Sequence, residues 1–201
     1  MDTFGPSLSG TRVRRVDTRT ARGNRVVGEW VYGAKVPPRR GTDAAVYYVH
    51  GSGYALCSPR THRRLASWVS TLTGLPVFSI DYRLAPPRHR FPTAADDVRT
   101  GWEWLTTEQG LRAGRVVIAG DSAGGHLAVD LLLQPATAHP AALVLLSPPL
   151  LDLTFELARA RETVRRDPAI RSRDARRLIE LYCAGIDSTH ARLRLDVASG
   201  R

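Results

Sequence analysis

Apolar positions along this chain of 201 residues fall into runs of two kinds. The first kind is short, continuous and partly β-branched: "AAVYYV" (44–49), "PVFSI" (76–80), "RVVIA" (115–119) and "ALVLLS" (142–147). Runs of that length without polar alternation predict strands buried on both faces. The second kind recurs at helical spacing, in "RTHRRLASWVSTLT" (60–73), "TAADDVRTGWEWLTTEQ" (93–109) and "AGGHLAVDLLLQ" (123–134), the last stopped by Pro135. Strands and helices in alternation predict an α/β fold with a mostly parallel sheet flanked by helices. Upstream, "RVVGEWVYG" (25–33) predicts one arm of an antiparallel edge hairpin whose partner the pattern does not mark. From Asp152 onward the text is helical and charged, with a break at Pro168. No repeat or low-complexity linker divides the chain, and 43% hydrophobic side chains suffice for one sizeable core, so residues 1–201 read as one domain.

The stretch "VVIAGDSAGGHLAVDLLL" (116–133) passes from strand to helix with almost no loop, and Ser122 sits on the turn. Gly120 and Gly124 flank it at minus two and plus two, where so tight a turn leaves no room for side chains. The hydroxyl is then lifted above the carboxyl end of the sheet, facing the free amides of the helix start, which favour arriving negative charge. A second constellation leaves the sheet on the same side: "YYVHGSGYALCSPRTH" (47–62) ends the first parallel strand. Its small residues let two backbone amides turn inward, and with the amide of Ala123 they make a three-donor oxyanion hole suited to acyl transfer. His50 precedes the nucleophile and is read as the anchor of that loop; His62 is read as a helix-surface residue and His126 as a packing residue.

Composition narrows the partners. No run of about 18 apolar residues appears, so no membrane span is predicted. Residues 1–25 are polar without an apolar core, so no secretory signal is read and a cytoplasmic location is expected. Cys57 and Cys183 are too few and too far apart for a disulfide scaffold or a zinc cluster, and no metal site is expected. The formal net charge is +10, from 29 Lys plus Arg against 19 Asp plus Glu; Lys35 is the one lysine, leaving 28 arginines. These scatter, with groups at 12–25 and 159–177 and no aromatic residues interleaved for base stacking, so a solvated arginine-rich surface is expected and no specific nucleic-acid partner.

Three motifs together resemble the hormone-sensitive-lipase-like (GDXG) esterases and lipases of the α/β-hydrolase fold: "HGSGY" (50–54) in place of the family's HGGG loop, "DYRLAPPRHRFPTAADD" (81–97), and "GDSAGG" (120–125). The resemblance implies a serine carboxylester hydrolase without metal or organic cofactor, taking a small ester substrate. Ser122 would be the nucleophile and the amides of Ser52, Gly53 and Ala123 the oxyanion donors, with Asp81, Arg83 and Asp97 tying the middle loop together. Ser52 stands where the family has glycine, so a positive φ there would strain the hole. The resemblance covers roughly residues 25–198; family members continue with two further strand-helix units carrying the catalytic acid and base, roughly 60 residues at about 30 per unit. The fold is therefore read as an incomplete α/β-hydrolase with a partial helical lid over 150–185. Leu150, Leu151, Leu153, Phe155 and Leu157 are candidates for an acyl pocket under an open, poorly covered site. Asp152 and His190 are the substitute acid and base that remain, and low turnover is expected of this chain. The alternative is a catalytically dead relative that acts as a binding module or as a subunit completed by a partner. In either case, ending the sheet at 142–147 predicts self-association or a partner covering its outer edge.

Overall fold

A computed structural model describes residues 5–38, 43–150, 153, 155–162, 170–187 and 190–195. Six strands form one sheet: β1 (Arg12–Arg19), β2 (Arg25–Tyr32), β3 (Ala45–Val49), β4 (Val77–Ile80), β5 (Val116–Asp121) and β6 (Ala142–Leu146), in the order β1-β2-β4-β3-β5-β6. The pairs β4–β3, β3–β5 and β5–β6 are parallel, whereas β1–β2 and β2–β4 are antiparallel. The missing hairpin partner is β1, with Arg12 opposite Tyr32 and Arg19 opposite Arg25. As the first strand of the sheet, β1 is solvated along most of its length, so it needs no apolar run.

Helices cover both faces. α2 (Thr93–Glu103) and α3 (Ala123–Leu133) pack Val98, Trp102, Leu127 and Leu131 against Trp30, Tyr47, Phe78 and Ile118. On the opposite face α1 (Arg63–Thr73) sets Ala66 on Val31, Val46, Tyr48 and Val77. Two helices differ at their ends from the sequence pattern. Residues Pro59–His62 form a tight 3-10 turn entering α1, and α2 widens over Trp104–Glu108 into i→i+5 turns that bury Trp104 and Leu105. Beyond β6 lie α4 (Glu156–Glu162) and α5 (Ser172–Cys183); Pro168 falls outside the described residues. No helix among the described residues is long and apolar enough to cross a membrane.

β6 is the outermost described strand on its side of the sheet. Leu143 packs on the α3 side, whereas Val144 and Leu146 are 44% and 43% exposed on the other. The arginines are less idle than a solvated surface implies. Arg63 forms a bidentate pair with buried Glu29 at 2.7 Å, and Arg83 grips Asp97 at 2.9 and 2.7 Å, as the middle motif suggested. Asp81 has a different role: its amide donates to Val27, and its carboxyl is pushed up by burial and by neighbouring Glu29. Arg192 reaches Asp130, whose side chain is 1% exposed, at 2.9 and 2.8 Å, and also meets Asp96.

The Arg192–Asp130 pair ties residues 190–195 to α3, and removing one partner strands a buried carboxylate. Arg192→Ala should lower the unfolding free energy by about 3 kcal/mol in a denaturant titration, and Arg192→Ala with Asp130→Asn by clearly less. A single variant within about 0.5 kcal/mol of the parent would show that the pair is dispensable.

Candidate active site

The site begins where β5 ends. Ser122 takes φ 47° and ψ −121°, and α3 starts at the next residue. A Cβ on Gly120 would lie 2.7 Å from the backbone of Gly124, and one on Gly124 would collide with the carbonyl oxygens of Val49 and His50. Only glycine permits those approaches, so the sequence brings the start of α3 into backbone contact with the end of β3. The Ser122 amide donates to Leu146 at 2.8 Å, which fixes the turn against β6 as well.

The loop after β3 then folds over the same edge. His50 is fully buried, with Nδ1 3.0 Å from the Gly51 carbonyl, and its ring stacks on Tyr82 at 4.2 Å between centroids. Tyr82 donates its hydroxyl to the His50 carbonyl at 2.8 Å. Asp121 holds the loop from below: one carboxylate oxygen accepts the Gly51 amide at 3.0 Å and the Tyr48 hydroxyl at 2.6 Å, and the other lies 3.5 Å from His62 Nε2. His62 is therefore buried in this cluster and not on a helix surface; its position at the entry to α1 turns the ring inward onto Asp121. His126 packs inside as expected, with Nε2 3.2 Å from the Leu193 carbonyl.

Ser52, Gly53, Ser122 and Ala123 line one cavity of about 1040 Å³. The amides of Ser52 and Gly53 donate to no acceptor among the described residues. Ser52 has φ 83°, the left-handed conformation that the glycine of the resembling family would accommodate without strain. α5 contributes Leu178 and Ile179 to the cavity, joined by Leu56, Phe155 and Ile170. Leu178 rests on Gly53, where an added Cβ would come within 2.8 Å of it, and Tyr182 stacks on Tyr54 at 4.0 Å. Of the proposed acyl-pocket residues, Phe155 lines the cavity and Leu153 packs on the core; Leu151 and the side chain of Leu157 lie outside what is described.

Of the two substitute residues, His190 is not brought to Ser122. Asp152 lies outside the described residues. His190 sets its ring edge-on to Phe91 at 5.0 Å and accepts the Arg192 amide on Nδ1. Among the described residues no imidazole hydrogen-bonds Ser122 Oγ. Asp121, His62 and Leu178 escaped the sequence reading; Asp121 alone carried a signal, its place inside "GDSAGG".

Burial drives the His50 imidazole down to about 4. It lowers His126 in the same direction. For Asp121 burial alone acts upward, but the bonds from His62, Tyr48 and the Gly51 amide outweigh it and hold the carboxyl below its usual range. The site thus combines a serine on a strained turn, two amides with no acceptor among the described residues and a helix start, around a cavity lined by apolar side chains and by the charged Glu162, Arg171, Arg173 and Asp174. That arrangement suits attack on a carbonyl and stabilisation of the resulting oxyanion.

A family profile described as "alpha/beta hydrolase fold" matches residues 46–199. An acetyl-hydrolase of Streptomyces hygroscopicus is 39% identical over 165 residues, covering 81% of this chain and 52% of the relative. The esterase LipU of Mycobacterium tuberculosis is 41% identical over 134 residues, covering 66% of this chain and 44% of its own length. The chain thus spans about half the length of these relatives. Among solved structures, an esterase from the bacterial hormone-sensitive lipase family superimposes with a TM-score of 0.83 at 29% identity, covering 98% of this chain and 63% of that one.

The buried imidazole makes stability pH-dependent. Folded His50 refuses a proton down to about pH 4, while in the unfolded chain it titrates near 6.5, so the unfolded state binds more protons between those values. Stability should therefore fall as pH drops from 6.5 to 4, by up to about 1.4 kcal/mol per unit and about 3 kcal/mol in all from His50, with His126 adding in the same direction. Asp121 acts in a lower window: its contribution is present above pH 3.8 and is lost as pH falls through its depressed folded value. Denaturation midpoints of His50→Asn across pH 4–7 should show a flatter slope than the parent; an unchanged slope would exclude His50 as its source.

Proposed function

The chain belongs to the hormone-sensitive-lipase-like branch of the alpha/beta hydrolase fold family, and on that premise we propose that it is a serine carboxylester hydrolase acting through an acyl-enzyme on Ser122. The observation that carries this reading is the shared cavity of Ser122, Ser52, Gly53 and Ala123. Ser122 Oγ attacks the ester carbonyl, and the charge that develops on the carbonyl oxygen is met by the amides of Ser52, Gly53 and Ala123. The carbon–oxygen bond to the alcohol then breaks, leaving the acyl group on Oγ, and water releases it as the acid. The proton leaves Oγ for a base and one returns to the departing alkoxide; among the described residues no imidazole is bonded to the serine. Leu56, Phe155, Ile170, Leu178 and Ile179 offer apolar contact to a small ester, on a lining that also carries Glu162, Arg171, Arg173 and Asp174.

A second reading, a subunit whose sheet another polypeptide continues, has one observation in its favour. The outer face of β6 presents Val144 and Leu146 to solvent. If this reading holds, light scattering of the purified chain should show self-association that a charged replacement such as Val144→Lys reverses; a monomer at all concentrations would remove its support.

The nucleophile is tested by trapping. Incubation with an activated short-chain aryl ester should place the acyl group on the peptide containing Ser122, as read by peptide mass spectrometry. Ser122→Ala should abolish both that adduct and ester cleavage above background. Acylation at another residue, or equal cleavage by Ser122→Ala, would end the serine-hydrolase reading. Ser52→Gly should acylate as fast as the parent or faster, since glycine accepts φ 83° without strain.

A further inference from the structure

The loop over the nucleophile is bent through four residues of positive φ: Ser52 at 83°, Gly53 at 61°, Tyr54 at 63° and Cys57 at 69°. Glycine adopts that conformation freely, whereas each of the other three crowds its Cβ against its own backbone. Strained residues persist only where their surroundings over-determine them. For Tyr54 the surroundings are plain. Its ring is buried against Tyr182 at 4.0 Å and edge-on to His126, and its carbonyl accepts the Ala85 amide at 3.0 Å.

Ser52 and Cys57 have small side chains, and what they have is each other. Ser52 Oγ donates to Cys57 Sγ at 3.0 Å across five residues of chain. The Ser52 carbonyl accepts the amides of Leu56 at 3.2 Å and Ala55 at 3.4 Å, so the turn is closed on itself by backbone and side chain together. Ser52, Gly53 and Leu56 line the Ser122 cavity, whereas Cys57 is not among its lining residues.

We propose that Cys57 is a positioning residue for the oxyanion hole: by accepting the Ser52 hydroxyl it holds Ser52 in the left-handed conformation and keeps that hydroxyl turned away from Ser122, so that the amides of Ser52 and Gly53 face the reacting carbonyl. The inference rests on the proposed role of those two amides. Without the sulfur, Ser52 has no side-chain partner opposing its return to negative φ, and that rotation swings both amides out of line. Its freed hydroxyl can then also turn into the cavity as an unwanted donor beside Ser122. A glycine at position 52 has neither the strain nor the hydroxyl, so it has no need of Cys57. The two positions are therefore coupled, and the coupling has a definite sign.

Three variants test this: Cys57→Ala, Cys57→Ser, whose hydroxyl can still accept, and Ser52→Gly combined with Cys57→Ala. The first readout needs no turnover. In isotope-labelled protein, the amide and Cα resonances of Gly53 should move in Cys57→Ala and return toward their parental positions in Cys57→Ser and in the double variant, with the rest of the spectrum confirming an intact fold. The second readout is the acylation of Ser122 by the activated aryl ester, resolved into ester binding and the acylation step. Cys57→Ala should slow the step about ten- to a hundredfold without weakening binding, and the other two variants should restore it. An unmoved Gly53 in Cys57→Ala, or a double variant as displaced and as slow as Cys57→Ala, would overturn the proposal. If the parent is not acylated on Ser122, the proposed function fails, and the Gly53 resonances still decide whether Cys57 positions the loop.

Discussion

The contact between the Gly124 backbone and the carbonyl oxygens of Val49 and His50 decides where everything else in the site can go. β3 and β5 are neighbours in register, with Val49 opposite Gly120, so the loop after one and the turn after the other emerge side by side. Adjacency in a sheet sets strands about 5 Å apart, but it does not make the elements beyond them converge. The glycine contact does, by letting α3 begin almost on top of β3. Asp121 then stitches the pair together, since this residue at the end of β5 accepts the Gly51 amide of the neighbouring loop. A side chain at Gly124 would lift the helix and separate the serine from the amides while leaving the sheet itself intact.

Charge is used sparingly in this framework despite the net +10. The arginines that matter structurally are those facing a poorly exposed carboxylate in bidentate fashion: Arg63 on Glu29, Arg83 on Asp97 and Arg192 on Asp130. Each joins elements distant in sequence, namely β2 with the entry to α1, the loop after β4 with α2, and the 190–195 segment with α3. Exposed pairs such as Arg25 with Asp17, by contrast, contribute little beyond local order.

How much of this the sequence disclosed follows from burial. β3, β4 and β5 were legible because strands covered on both faces are written as continuous apolar runs, and β6 because its apolar text does not depend on whether anything covers it. β1 was not, because a solvated edge strand can be spelled "RVRRVDTR" and still pair fully with β2. The serine turn was legible because steric need forces glycine at fixed offsets. The His62–Asp121–Tyr48 cluster was invisible because nothing in a linear pattern says that a histidine at a helix entry turns inward toward a carboxylate on another strand. The contacts of Leu178 and Tyr182 with Gly53 and Tyr54 were not legible either, because they arise only through tertiary packing of α5.

That packing makes the roof and the floor of the cavity a single mechanical unit. α5 is seated on Gly53 by Leu178, on Tyr54 by the Tyr182 ring, and on the loop before α2 by the bond from the Phe91 amide to the Tyr182 carbonyl. A helix so attached cannot swing away as a free flap, because lifting it disturbs Gly53 and Tyr54, which line the same cavity as Ser122. The roof and the loop beneath it thus share one set of contacts, and neither can be displaced without disturbing the other.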